Sequence, residues 1–143
     1  MKRRILLVDD DLAVLLTLKA VLELHGFEVE TAGSSAEAFT RMESGVFQMV
    51  ISDLRMETEE SGLEVIRSAR RQPYHPATAL LTAYPPSGEH WRRVQQNGGG
   101  GEDGEGGSDS LLIKPLGTHD LLRQVEALLV RHADRQSQTN STS

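Results

Sequence analysis

Val50-Ile51-Ser52-Asp53-Leu54 is the stretch on which the reading of this chain turns. It is a short, continuous apolar run that stops at a carboxylate. A run of this kind, bounded by polar residues, reads as a strand buried on both faces, as in a parallel sheet. Asp53 then stands at the strand's carboxyl end, where ligands gather in open α/β sheets. Taken alone, an aspartate in this place has a plainer explanation, because many strands end in Asp to begin a turn.

Working outward, the same alternation of apolar runs and helical periodicity fills most of the 143 residues. Arg4 to Val8 is apolar after its first residue and reads as the first strand. Leu12, Leu15, Leu16, Lys19, Leu22 and His25 recur at spacings of three and four and predict a helix that Gly26 ends. Phe27 to Thr31 reads as a second strand. Ser34 with Glu37 is a capping-box pattern for a second helix through Met42. Gln48 to Ser52 is the third strand. Leu63, Val65, Ile66 and Ala69 mark a third helix, closed before Pro73 and Pro76. Thr78 to Thr82 is a fourth strand, Glu89 to Gln96 a short helix, and Leu111 to Lys114 a fifth strand. Thr118 can cap a last helix with Leu121, Leu122, Val125, Leu128 and Leu129 on its apolar face. Strands alternating with helices predict an α/β fold, a parallel sheet with helices on both faces, though periodicity leaves the strand order open. Residues 132–143 are polar and rich in Ser and Thr, and are expected to be a disordered tail after a single domain spanning 3–131.

Composition narrows the function. No cysteine is present, which excludes disulfides, thiolate metal sites and thiol catalysis, and fits a reducing cytoplasmic setting. The net charge of -6 argues against a nucleic-acid surface. Arg67, Arg70 and Arg71 are a dense basic group whose helical spacing suits a solvated face. The apolar run behind Met1-Lys2-Arg3-Arg4 is too short for a signal peptide or a membrane span.

A parallel sheet gathers the carboxyl ends of its strands on one rim. That rim would hold Asp9, Asp10 and Asp11 after the first strand, Asp53 after the third, Thr82 on the fourth and Lys114 on the fifth. Close carboxylates repel unless a cation lies between them. Oxygen-only ligands suit Mg²⁺, which keeps waters and pairs with phosphate. A hydroxyl and an ammonium beside them suit phosphoryl oxygens, and a carboxylate can act as nucleophile. Each residue also has an ordinary structural reading. Asp10 or Asp11 can cap the first helix, Thr82 is a normal strand residue, and Lys114-Pro115 can simply end a strand.

Ile-Leu-Leu-Val-Asp-Asp-Asp at 5–11, Ile-Ser-Asp-Leu-Arg-Met at 51–56, Leu-Thr-Ala at 81–83 and Lys-Pro at 114–115, taken together, resemble the receiver domain of bacterial response regulators, the CheY-like family. The resemblance implies a doubly wound, five-stranded parallel sheet of flavodoxin-like order 2-1-3-4-5. It implies that Asp53 accepts a phosphoryl group from a phosphohistidine on a histidine kinase or histidine phosphotransferase, in a cytoplasmic two-component phosphorelay. Asp10 would ligate Mg²⁺ directly and Asp9 through water, with Asp53 and the backbone carbonyl of Arg55 completing the set. Asp11 would be a cap or a neighbour of the pocket. Lys114 would pair with the phosphoryl group, with a cis bond to Pro115. Thr82 would move onto the phosphoryl oxygens, and Ala83 would leave room for them. Arg55 and Tyr84 would tune the lifetime of the phosphoryl group. Such a module has only self-phosphorylation and self-dephosphorylation chemistry and is otherwise not an enzyme. With no output domain expected after the last helix, it would signal to an unnamed protein partner and not to nucleic acid or a membrane.

Three departures bear on that expectation. Glu57 stands where the family usually has proline, and Gly62 falls one residue late, which makes Glu57-Thr58-Glu59-Glu60-Ser61 a longer, acidic loop. It reads either as a tolerated surface insertion or as a source of negative potential for the metal. Leu111 replaces the usual aromatic three residues before the lysine. Residues 98–108 form a Gly-rich, acidic insertion, expected to be a flexible loop that matches neither a dinucleotide fingerprint nor a P-loop. An alternative function is a degenerate receiver acting as a phosphorylation-independent interaction domain. A third, a phosphohydrolase with an aspartyl nucleophile, is disfavoured because Arg55 occupies the place of its second acid.

Overall fold

Short apolar runs separated by helical periodicity do fold as strands and helices in alternation. The computed structural model describes residues 3–54, 56–58, 61–82, 110–113 and 118–141, without the side chains of 110–120 and 134–141. Within them, β1 is Arg4–Val8, α1 Leu12–Leu24, β2 Glu28–Ala32, α2 Ser35–Ser44, β3 Met49–Asp53, α3 Ser61–Arg70, β4 Ala77–Thr82, β5 Ser110–Ile113 and α4 Thr118–Ser141. All strand pairs are parallel, and the five-stranded sheet has the order β2-β1-β3-β4-β5. The helix expected at 89–96 and the insertion 98–108 lie outside the described residues.

Successive residues of a strand face opposite sides of the sheet, and here both sides are covered. Ile5 and Leu7 of β1 with Met49 and Ile51 of β3 face Leu15, Leu18 and Leu22 of α1 and Leu121, Val125 and Leu128 of α4. Leu6, Val8 and Val50 face the other way, onto Ala38 and Met42 of α2 and Val65 and Ala69 of α3. Every residue of β3 is buried as a consequence, including the polar pair Ser52 and Asp53 that ends it.

Local chemistry sets the helix ends. Asp11 is the N-cap of α1, its Oδ1 accepting from the Ala13 N–H at 3.0 Å. At the other end Gly26 has a φ of +93°, the Gly26 N–H donates to the Glu23 carbonyl and the Phe27 N–H to the Leu22 carbonyl, both at 3.1 Å. That is a Schellman closure, with buried Phe27 and Leu22 in one apolar cluster beneath it. Ser34 caps α2 by accepting the Glu37 N–H at 3.1 Å, while Glu37 Oε2 reaches back to the Gly33 N–H at 3.2 Å, one residue earlier than the usual box.

Two expectations are corrected. Leu12 and Leu16, placed on the apolar face of α1 by spacing, are 66% and 58% exposed. The helix is apolar around much of its circumference, so spacing alone does not choose its inner face; contact with the sheet selects Leu15, Leu18 and Leu22. The segment after Arg131, expected to be disordered, continues α4 as helix to Ser141. It contains no Gly or Pro to stop propagation. His132 also anchors its start, Nε2 donating to the His75 carbonyl at 2.5 Å.

Candidate functional site

The parallel registers carry two acidic strand ends to one rim. Val8 of β1 pairs with Ser52 of β3, so Asp9 and Asp53 are the next residues along two adjacent strands. Asp9 is fixed there by its N–H, which donates to the Ala32 carbonyl at 3.1 Å, and by its Oδ1, which accepts the Asp11 N–H at 2.9 Å. Asp53 is held by the pairing of β3 with β4, opposite Leu81, and the Leu54 N–H just beyond it donates to the Leu81 carbonyl at 2.9 Å.

The result is a compact acidic group. One carboxylate oxygen from each of Asp9, Asp10 and Asp53 lies within 4.8 Å of the other two. Asp9 and Asp53 are buried, at 2% and 8% exposure, whereas Asp10 is open to solvent. Like charges this close, two of them removed from water, are costly unless a cation is shared between them. Three hard oxygen donors with one solvent-facing side fit a small divalent cation that retains part of its water shell. Asp11, by contrast, is committed to capping α1, which separates its role from that of Asp10.

Thr82 is the last residue of β4, one position beyond the Leu81 that faces Asp53, and it is buried. Ile113 of β5 pairs with Thr82. Lys114 and Pro115, Ala83 and Tyr84, and Arg55 with its carbonyl lie outside the described residues, as do Glu59 and Glu60. The backbone of Leu111 is a strand position opposite Leu80.

Two residues matter at this rim in ways that their sequence positions do not disclose. Gly62, at the start of α3, donates its N–H to the Leu54 carbonyl at 3.0 Å. A Cβ on Gly62 would lie 1.9 Å from the Asp53 carbonyl oxygen, so α3 rests directly on the end of β3. Glu57 reaches across to α2, where its Oε1 accepts the Ser35 N–H at 2.8 Å. The late glycine and the glutamate in place of proline were the visible signals, but neither names its contact.

This sheet order with helices on both faces defines the doubly wound, flavodoxin-like class, with an acidic group at the carboxyl ends of its strands. Within that class the chain belongs to the response regulator receiver domain family, whose model matches residues 5–98. It is 33% identical over 130 residues to the transcriptional regulatory protein CpxR homolog of Haemophilus influenzae, covering 91% of this chain and 52% of that one. The chain spans about half or less of the length of the curated relatives it matches first. Among solved structures, a CheY-like receiver domain protein from Methanospirillum hungatei superposes with a TM-score of 0.79 at 26% identity, over 94% of this chain and 99% of that one. The response regulator TrrA of Thermotoga maritima, solved in complex with Mg²⁺-BeF, gives a TM-score of 0.68 at 31% identity, over 88% and 98%.

Proposed function

We propose that this receiver domain is the phosphoacceptor of a two-component phosphorelay, with Asp53 as the residue modified. The observation that carries the reading is the meeting of the Asp53 carboxylate with those of Asp9 and Asp10, oxygens within 4.8 Å, at the carboxyl end of a buried strand. A carboxylate oxygen of Asp53 attacks the phosphorus of a phosphohistidine on a kinase or phosphotransferase. The P–N bond breaks, its electron pair leaves with the imidazole nitrogen, and an acyl phosphate remains on Asp53.

Asp9, Asp10 and Asp53, with the Arg55 carbonyl, would hold Mg²⁺; the complex of TrrA with Mg²⁺-BeF supports that choice of ion. Bound there, the ion would neutralise charge on the three carboxylates and on the incoming phosphoryl oxygens. Thr82, buried at the end of the adjacent strand, would donate its hydroxyl to a phosphoryl oxygen, and Lys114 would supply the balancing positive charge. The modification would then bias a conformational equilibrium read by a protein partner. We place the reaction in the cytoplasm and the receiver at residues 3–131. Among the described residues no helix is long and apolar enough to cross a membrane.

Incubation with acetyl phosphate and Mg²⁺, followed by intact-protein mass spectrometry, tests the reading. One alkali-labile phosphoryl adduct, absent from Asp53→Asn and suppressed by a chelator, is the expected result. No adduct on the wild-type chain, or an unchanged adduct on Asp53→Asn, overturns it.

A further inference from the structure

Glu57 lies four residues after Asp53 in the loop that joins β3 to α3, and its carboxylate, though exposed, is hydrogen-bonded to another part of the chain. Oε1 accepts the Ser35 N–H at 2.8 Å and stands 3.3 Å from the Ser35 hydroxyl, which donates to it as well. Ser35 is the first residue of α2, directly after the Ser34 cap, so its N–H has no partner inside the helix. The cap itself serves the Glu37 N–H and Glu37 serves the Gly33 N–H, leaving Ser35 to be met from outside. A carboxylate at this place is favoured both by the hydrogen bond and by the positive end of the helix dipole. The Ser35 N–H accordingly holds the Glu57 carboxyl below the usual carboxylate range, against a smaller opposing effect of burial.

The same loop is held at two other points. The Gly62 N–H bonds the Leu54 carbonyl at 3.0 Å, and half-buried Met56 packs against the cluster that includes Ala32, Ala38 and Met42. Met56 and Glu57 are therefore tied to α2, and Gly62 to the residue that follows β3. Ser35 stands 22 residues earlier in the chain, so the contact ties together two separate connections at the acidic rim.

We propose that Glu57 is a positioning residue: its contact with Ser35 straps the loop after Asp53 to the N-terminus of α2 and so fixes how the strand-end carboxylates meet a divalent cation. The inference rests on the reading of Asp9, Asp10 and Asp53 as that cation's ligands. It differs from an account in which Glu57 acts through space as one more negative charge. The two accounts diverge on what glutamine does, because Glu57→Gln removes the charge yet keeps an oxygen that can accept the Ser35 N–H.

Mg²⁺ affinity of the full chain, measured by calorimetric titration for wild type, Glu57→Ala, Glu57→Gln and Ser35→Pro, tests the proposal. Proline is favoured at the first helical position, and Ser34 has the extended backbone that a residue before proline adopts, with φ -157° and ψ 165°. Ser35→Pro therefore removes both Ser35 donors while leaving α2 intact, and Glu57 keeps its hydrogen bonds with the Ser61 hydroxyl and its own backbone. Glu57→Ala is expected to weaken Mg²⁺ roughly fivefold, the worth of one exposed charge-assisted hydrogen bond. Ser35→Pro should weaken it in the same direction and by no more, the double variant should be no weaker than Glu57→Ala alone, and Glu57→Gln should recover to within about twofold of wild type. Amide exchange at Ser35 should accelerate in Glu57→Ala and not in Glu57→Gln. Wild-type affinity in Glu57→Ala overturns the strap, as does a glutamine variant as weak as the alanine one or a fully additive double variant. A wild-type chain that neither binds Mg²⁺ nor takes a phosphoryl group overturns the site reading itself, and the strap with it.

Discussion

Gly62→Ala adds one methyl group where two backbones touch. The new Cβ would lie 1.9 Å from the Asp53 carbonyl oxygen and 2.7 Å from both the Asp53 carbonyl carbon and Leu54 Cα. None of these is the free end of a side chain, so no rotamer change relieves the overlap. Ordinary contact begins near 3.4 Å, and reaching it requires α3 and the end of β3 to part by roughly 1.5 Å. Overpacking of this kind costs about 1–3 kcal/mol, and loss of the Gly62 N–H to Leu54 bond adds about 1 kcal/mol. Alanine's better helix propensity returns about 1 kcal/mol. The net destabilisation is thus about 1–3 kcal/mol, read from the urea midpoint at unchanged slope. It should also displace Asp53, and a misplacement of about 1 Å can slow a positioned reaction by roughly 100-fold, so phosphoryl uptake from acetyl phosphate should fall steeply. Gly33→Ala is the control, because a Cβ there meets only the Glu37 carboxylate at 3.8 Å. A Gly62→Ala chain with wild-type midpoint and wild-type uptake would refute the argument that α3 bears on the Asp53 backbone.

Three further outcomes are expected. Asp11→Ala removes the cap of α1 and should cost about 1 kcal/mol in urea denaturation, while weakening Mg²⁺ less than Asp10→Asn does. Adding Mg²⁺ at about 100 times its dissociation constant should stabilise the chain by about 2.7 kcal/mol over a chelated sample, a gap that calorimetric melting should show collapsing in Asp10→Asn. Tyr74 donates its hydroxyl to the Met42 carbonyl at 3.0 Å, in the last turn of α2, so Tyr74→Phe should cost about 1 kcal/mol. Burial raises the Tyr74 pKa above 10.0, although Arg4 acts against it. The folded chain therefore keeps a proton that the unfolded chain releases near that pH, and stability falls as pH rises through the alkaline range. Urea midpoints of Tyr74→Phe should lose part of that fall.

Much of the fold is written in spacing, because buried parallel strands need continuous apolar runs and helices need a period of three or four. That is why the end of β3 at Asp53 and the cap and glycine closure of α2 and α1 were legible. The inner face of α1 was not, since Leu12 and Leu16 are as apolar as Leu15 and Leu18 and only the sheet distinguishes them. The helical continuation beyond Arg131 was missed because a polar segment without a packing stripe gives no period, yet it also contains nothing that stops a helix already formed. At the site, the three aspartates were visible as strand ends, but their meeting depends on β1 lying beside β3, and strand order is a long-range property. The contact of Glu57 with Ser35 joins two connections and has no periodic signature at all.

The uniformly apolar core also explains how the acidic rim is held together. Asp9 and Asp53 are almost wholly removed from water, and they stand against a third carboxylate. Desolvation and mutual repulsion oppose this arrangement, and the contacts that Asp9 and Asp53 make with the surrounding chain offset part of that cost. The group persists because strands buried on both faces dictate where their ends fall: Ile5 to Val8 and Met49 to Ile51 are at most 1% exposed and leave the backbone no freedom to draw the carboxylates apart. Local conflict held in place by a rigid surrounding structure marks functional positions. It follows that Asp53→Asn should melt higher than wild type when Mg²⁺ is absent and lose that advantage when the ion is present. Equal melting of the two proteins in chelator would show that the carboxylates do not strain one another, and the case for a cation between them would lose its energetic basis.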